Sequence, residues 1–149
     1  MPKKDLTAEE CEDILEQAEV GYLSMSHNDR PYCLPFNFAY EQGRIYIHTG
    51  LKGLKWEYLS ENPNVCFVVA DQGRKQIGDS PCQYTYKFVS VIAFGKVYDD
   101  ISSRETADSL AKIIDKYKAG TVSSVPEDKM AKVRVVRIDI DRITGRQNL

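Results

Sequence analysis

Histidine is scarce in this sequence, with only His27 and His48, and the four cysteines (Cys11, Cys33, Cys66 and Cys82) form no Cys-x-x-Cys pair. A zinc centre needs such ligands clustered at short spacings, so none is expected. The scatter also argues against a disulfide framework, and the thiols read as isolated, buried side chains. No apolar run approaches the ~20 residues of a membrane span. The start, Met1-Pro-Lys-Lys-Asp5, leads into no apolar signal core, so a cytoplasmic protein without a membrane partner is expected. There is no basic excess: 20 Lys and Arg stand against 22 Asp and Glu, a net charge of −2, which disfavours a nucleic-acid partner. Gly-x-Gly-x-x-Gly is missing, and so is the nucleotide-triphosphate loop spacing, which excludes a separate nicotinamide domain. No repeat, low-complexity tract or linker interrupts the 149 residues, and the expectation is a single domain over 1–149.

Aromatic residues, by contrast, are plentiful, with nine tyrosines and five phenylalanines available for a core, an interface or a planar ligand. Thr7-Ala-Glu-Glu10 is a capping box and predicts a helix over 8–17. Gly21 to Ser26 reads as a strand, and His27 to Arg30 as a turn. From Tyr32 to Tyr40 the pattern alternates, with Tyr32, Leu34, Phe36, Phe38 and Tyr40 on one face. Pro35 cannot donate to a ladder, so this strand needs a bulge or an open edge. Glu41 to Gly43 is a hairpin turn into Ile45 to His48. A helix follows Gly53 and ends near Asn62-Pro63, with Trp56 and Tyr58 packing it onto the sheet. Val65 to Ala70 is the next strand, and Asp71 to Cys82 a polar connection.

Tyr84 to Tyr98 reads as strand but would span ~50 Å if straight, so a bend is expected near Ser90 or Gly95. Ser102-Ser-Arg-Glu105 is a second capping box; its helix places Ala107, Leu110, Ala111, Ile114 and Tyr117 inward and its charges on a solvated face. Ala119 to Lys129 reads as a loop, Lys132 to Ile140 as the last strand, and Thr144 to Leu149 as a tail. These elements predict a mainly β, α+β fold: a compact six-stranded antiparallel β-barrel with peripheral helices, closure being how a small β core avoids exposed edges, with an open α+β sheet carrying its helices on one face as the alternative.

The richest segment is Tyr46-Ile-His-Thr-Gly-Leu-Lys-Gly-Leu-Lys-Trp56. A strand ends at His48-Thr49, and a helix opens after two glycines and two lysines. Free amides at a helix start, a hydroxyl and ammonium groups are what a phosphate needs. Lysine is disfavoured there by the helix dipole, so Lys52 and Lys55 call for an anionic partner. Thr49 reads equally as a capping residue. His48 is compatible with a surface position, a phosphate donor or a proton carrier.

Tyr32 to Tyr40, then Ile45 to Lys55 and Asn62-Pro-Asn-Val65, resemble the pyridoxamine 5′-phosphate oxidase-like superfamily of split barrels that bind flavin mononucleotide (FMN). Tyr86 to Val97, and Ile138 to Arg146 with its Ile-Thr-Gly-Arg ending, are similar to the 5-nitroimidazole-resistance branch. The resemblance implies a homodimer with flavins in grooves between subunits. It implies that His48, Thr49, Lys52, Gly53 and Lys55 hold the FMN phosphate. It also implies that Pro35, Phe36 and Asn37 run along the ring, and that Ser90 contacts the cofactor. The relatives' arginine before the lysine is Leu54 here, their second strand is more basic, and their C-terminal substrate segment has no counterpart. Pyridoxamine phosphate is therefore not the expected substrate.

The implied activity is FMN-dependent reduction of a small oxidised acceptor such as a nitroaromatic compound, with His48 the candidate catalytic residue. A non-catalytic dimer that stores flavin or haem is the alternative, and a cofactor-free dimeric module is the weaker third reading.

Overall fold

The computed structural model describes residues 3–118 and 132–148. The predicted loop over 119–129 lies outside those residues. The elements run β1 (Lys3–Asp5), α1 (Ala8–Gln17), β2 (Gly21–His27), β3 (Arg30–Phe36), β4 (Ala39–Glu41) and β5 (Arg44–Gly50). Then follow α2 (Leu54–Glu61), β6 (Asn64–Asp71), β7 (Lys75–Gln76), β8 (Thr85–Tyr86), β9 (Val89–Tyr98), α3 (Ser103–Lys118) and β10 (Val133–Asn148). The fold is mainly β and antiparallel, as expected, but the strand count is higher than six. An eight-stranded sheet runs β3-β2-β6-β9-β10-β5-β4 with β1 added on β10, and β7 pairs with β8 apart from it.

The two edges of that path, β3 and β4, are neighbours in sequence, joined only by Asn37 and Phe38. So short a link spans roughly 10 Å, so the sheet must curl until its edges face each other. The core is continuous around the curl: Leu23, Phe67 and Val91 from one side meet Phe38, Ile45 and Ile47 from the other. Phe38 is fully buried and stacks edge-on to Phe67 at 4.9 Å. The predicted strand Tyr32 to Tyr40 is therefore two strands broken at a seam. Pro35 lies on the edge strand β3, where a missing N–H is tolerated.

The seam is closed by α3. The Phe38 N–H donates to the Tyr117 hydroxyl at 3.1 Å, which donates in turn to the Glu19 carbonyl at 2.5 Å. Lys116 donates to the Phe38 carbonyl at 3.2 Å and lies 3.8 Å above the Phe38 ring. The buried face of α3 is centred on Ser109, Leu110 and Ile113, so it is rotated from the predicted Ala107–Ile114 stripe, and Ala107 is exposed. Its charges are not all solvated either. Glu105 accepts from Arg137 at 2.8 Å and from the Tyr46 hydroxyl at 2.8 Å. The arginine bond holds the Glu105 carboxyl below its usual range. Ser102 caps the Glu105 amide at 3.1 Å, but the glutamate side chain is drawn to Arg137 instead of completing the predicted box.

Burial lowers the Lys116 ammonium to about 8, with Glu19 partly opposing the shift. Below that value the fold carries a partly desolvated charge. Between about 8 and the ordinary lysine value the unfolded chain binds the extra proton, so stability should rise with pH there. Urea unfolding at pH 7 and 9.5 should show this rise in the wild type and not in Lys116→Met.

The first capping box forms as predicted, with Glu10 N–H on Thr7 and Thr7 N–H on Glu10, each at 3.2 Å. The predicted Tyr84–Tyr98 strand breaks at Lys87 and Phe88, just before Ser90. Gly95 faces a register shift in β10 between Ile140 and Arg142. A Cβ at Gly95 would sit 2.2 Å from the Asp139 carbonyl oxygen, so only glycine lets the chains approach there. The predicted tail is strand: β10 continues to Asn148, paired with β9 on one side and β1 on the other. The cysteines are not uniformly buried: Cys11 is, Cys66 is half-buried, and Cys33 and Cys82 are exposed. All four are free.

Candidate functional site

Two places in the fold concentrate the predicted site residues. The first is the corner where β5 hands over to α2. Gly53 caps α2 with φ 132°, a left-handed conformation that glycine supplies without strain, and no side chain caps the helix. Its first amides are thereby left free, which is the condition for holding an anion. Lys55 folds back over this end: its ammonium donates to the Lys52 carbonyl at 3.2 Å and would lie 3.1 Å from a Cβ placed on Gly53. A larger residue at 53 would crowd that ammonium. Lys52 is exposed beside it, and Leu54 is 47% exposed where an arginine clamp would have stood.

The helix is fastened on both sides. Tyr58 is buried against Tyr32 and His27, with ring centroids at 5.2 and 5.9 Å. Trp56 packs against the core, and its indole N–H donates to the Gly50 carbonyl at 2.9 Å. Both aromatics thus pack α2 onto the sheet, as expected. Thr49 stands opposite Arg134 across the ladder and shares the inward side of β5 with Ile45 and Ile47. His48, one residue earlier, projects from the other face, opposite Val135, and is exposed. Within one chain Lys52, Gly53 and Lys55 meet at this corner, while Thr49 precedes it on the inward side of β5 and the His48 side chain lies on the opposite face of that strand.

Arg134 was not anticipated from the sequence. Its guanidinium lies 3.8 Å from the Trp56 ring centroid and is paired with Asp99. The stack joins residues 78 positions apart, which no local spacing reveals.

The second place is the outer face of the sheet. Pro35, Tyr22, Val68, Ile92 and Thr144 form one cross-strand row on that face. Ala70, Ser90 and Arg146 belong to a parallel row two residues along. Ser90 lines a groove of about 560 Å³ with Asp5, Leu6, Ile92 and Thr144. Pro35 and Ser90 therefore share a face. Phe36 points inward onto the core, and Asn37 is exposed at the seam. Much of the outer face is apolar: Tyr22 is 46% exposed and Val20 42%, and Cys66, Val68, Ile92 and Phe94 are half-buried.

The corner and Ser90 are far apart. Ser90 is level with Arg146, and Thr49 with Arg134, so a dozen β10 residues separate them. That is roughly 40 Å of strand, shortened by curvature. One mononucleotide does not bridge them within a single copy.

Among the described residues, no group of three or more His, Cys, Asp or Glu could hold a metal ion. None of the described helices is long and apolar enough to cross a membrane.

The sequence pattern of the pyridoxamine 5′-phosphate oxidase family matches residues 7–147. A candidate 5-nitroimidazole antibiotic resistance protein from Bacteroides thetaiotaomicron has a similar structure, with 26% identity and a TM-score of 0.82, over 98% of this chain and 89% of that one. A FAD-binding protein from Mesorhizobium loti is 25% identical with a TM-score of 0.71, over the full length of both chains. An uncharacterized protein from Rhizobium meliloti is 26% identical over 66 residues, which is 44% of this chain and 43% of that relative. The match thus spans less than half of that relative's length.

Proposed function

Because this chain belongs to the pyridoxamine 5′-phosphate oxidase family, we propose that it is a homodimeric flavoprotein that reduces a small oxidised acceptor. The single observation that carries this reading is the uncapped start of α2 with the Lys55 ammonium folded over Gly53. Free amides and a cation meet there, no ion pair among the described residues engages the Lys55 ammonium, and the donor set suits the phosphate of an FMN unit.

In this reading Lys55 and the α2 amides grip the phosphate, with Lys52 and the Thr49 hydroxyl beside them. Pro35 and Asn37, at the barrel seam, flank the ring with edge-strand backbone, and Phe36 anchors that segment in the core. Tyr117 and Lys116 fix the segment's end at Phe38. Ser90 comes from the second copy, because the first copy's Ser90 lies too far along β10. The apolar outer face around Ile92 is the surface on which the copies meet, since exposed patches of that kind mark association sites. When bound, flavin supplies the electron transfer, and the chain orients it and keeps water from the ring. The face His48 occupies gives it no proton to move at this corner.

A nitroaromatic acceptor fits the likeness to the Bacteroides protein, which shares 26% identity over nearly the whole chain. The test is a visible spectrum of the purified protein, with mass spectrometry of what it releases on denaturation. A visible flavin band is expected, and reduced bound flavin should be reoxidised by a nitroimidazole faster than free flavin is. Absence of any band after flavin supplementation would overturn the reading; equal reoxidation rates would leave a binder without the activity.

A further inference from the structure

Resting on that reading, we infer that the hairpin arm over 72–88 reaches across to the second copy, where Ile77 and Tyr84 at its tip wall the acceptor's side of the flavin site. The arm leaves the sheet between β6 and β9, central strands of the apolar outer face, after the Asp71–Val89 pair. Among the described residues β7 and β8 pair only with each other, Lys75 opposite Tyr86 and Gln76 opposite Thr85. The root of the arm is fastened. The Lys87 N–H donates to the Arg74 carbonyl at 2.8 Å. Asn148 donates to the Phe88 carbonyl through its backbone N–H at 2.8 Å and to the Tyr86 carbonyl through its side chain at 2.7 Å. The tip, a single helical turn over Pro81–Gln83 with Ile77 and Tyr84 to either side, is exposed.

Two observations mark the arm as unfinished within one copy. Ile77, 68% exposed, and Tyr84, 56% exposed, are the most exposed large apolar side chains among the described residues. They continue β7 and β8, so both strands of the hairpin end on a group suited to a contact surface. The buried side-chain oxygens of Gln76 and Asn148 are the two that lack a hydrogen-bond donor among the described residues, and both belong to the arm or its fastening. Buried acceptors are costly to leave unpaired, which points to packing completed by a neighbour. The place of the arm selects the second copy as that neighbour. In the proposed dimer Ser90 contacts the flavin held by the other copy. Tyr84 stands six residues before Ser90, at most about 22 Å along the chain. Whatever brings Ser90 to the partner's flavin therefore brings the tip beside the same ring. A phenol ring and an aliphatic side chain offer a flat, uncharged surface, which suits a planar aromatic acceptor.

Cys82, exposed in the tip turn, carries the test. The full chain with Cys33→Ser and Cys66→Ser keeps Cys82 as its accessible thiol, because Cys11 is buried. A maleimide-linked benzophenone is attached there and irradiated. A covalent pair of twice 17.0 kDa is expected, its second peptide drawn from residues 35–38 or from α2 of the other copy. Insertion within the same chain only, or into partner peptides remote from both segments, overturns the inference. The flavin-loaded protein reads the acceptor's side. Tyr84→Ala and Ile77→Ser should each raise the KM for a nitroimidazole about threefold to tenfold, the worth of one such contact, with kcat, flavin affinity and dimer mass unchanged. Tyr84→Phe, which keeps the ring, should retain the wild-type KM. A wild-type KM in both truncated variants, or a rise matched by lost flavin affinity, overturns the acceptor wall. Should the wild type bind no flavin, the flavin reading fails and the acceptor wall with it, while the cross-link still upholds or sinks the reach of the arm.

Discussion

Replacing Lys55 with glutamate should abolish flavin retention while leaving the fold as stable as before. Among the described residues the ammonium hydrogen-bonds only to the Lys52 carbonyl, and the side chain is half-exposed. Nothing in the core depends on it. Glutamate at the second helical position is favoured by the α2 dipole, so the cofactor-free variant should melt no lower than the wild type. The ligand, however, loses a charge-assisted hydrogen bond of about 1.5–3 kcal/mol and gains a repulsive carboxylate. The FMN dissociation constant should rise by roughly 100-fold or more. At an FMN concentration about 100 times the wild-type constant, binding adds ~2.7 kcal/mol of stability, and the variant would gain a few tenths. For a chain of this size that is a melting-temperature gain of roughly 5–10 °C in the wild type and about 1 °C in the variant. Differential scanning fluorimetry with and without FMN reads both effects. An undiminished FMN-dependent gain in Lys55→Glu would remove the phosphate from this corner.

The parts of the fold that were legible in the sequence are those set by neighbours in the chain. Thr7 and Glu10 specify the start of α1, and Asn62-Pro63 ends α2, because caps and breakers act within one turn. The β5–α2 corner was legible for the same reason. What escaped was decided by distant partners. Thr144 to Asn148 carries Gly, Arg, Gln and Asn and has the composition of a tail. It becomes strand because β9 and β1 pair with it on both sides. The Tyr32–Tyr40 alternation runs unbroken across Asn37, and only barrel closure dictates that the chain changes edges there. In α3, the positions that face the sheet are chosen by Arg137 and Tyr46 reaching Glu105 and by Phe38 reaching Tyr117, contacts from 32 to 79 residues away. Strand period did separate His48 from Thr49, and that consequence could have been read from the sequence: consecutive strand residues point to opposite faces.

A carboxylate at Ile92 should separate the copies and empty the site without unfolding the chain. Ile92 is half-buried at the middle of the outer face, between Val68 and Thr144. In an isolated copy a glutamate there stays hydrated, so the loss of stability should be about 1 kcal/mol, the span of strand preferences. Across an interface the same carboxylate would be desolvated against apolar side chains and its own symmetry mate, at a cost of several kcal/mol. Light scattering should then give a mass of 17.0 kDa for Ile92→Glu and twice that for the wild type. The flavin should leave with the partner, because the Lys55 corner and the Ser90 groove that contact one flavin lie on different copies. This variant and Lys55→Glu would then lose the cofactor for opposite reasons: one keeps the dimer and loses the phosphate grip, the other keeps the grip and loses the second wall. A monomeric Ile92→Glu protein that still carried a full complement of flavin would place the whole site within one copy. The role given to Ser90 would then fall, and the outer face would need another explanation.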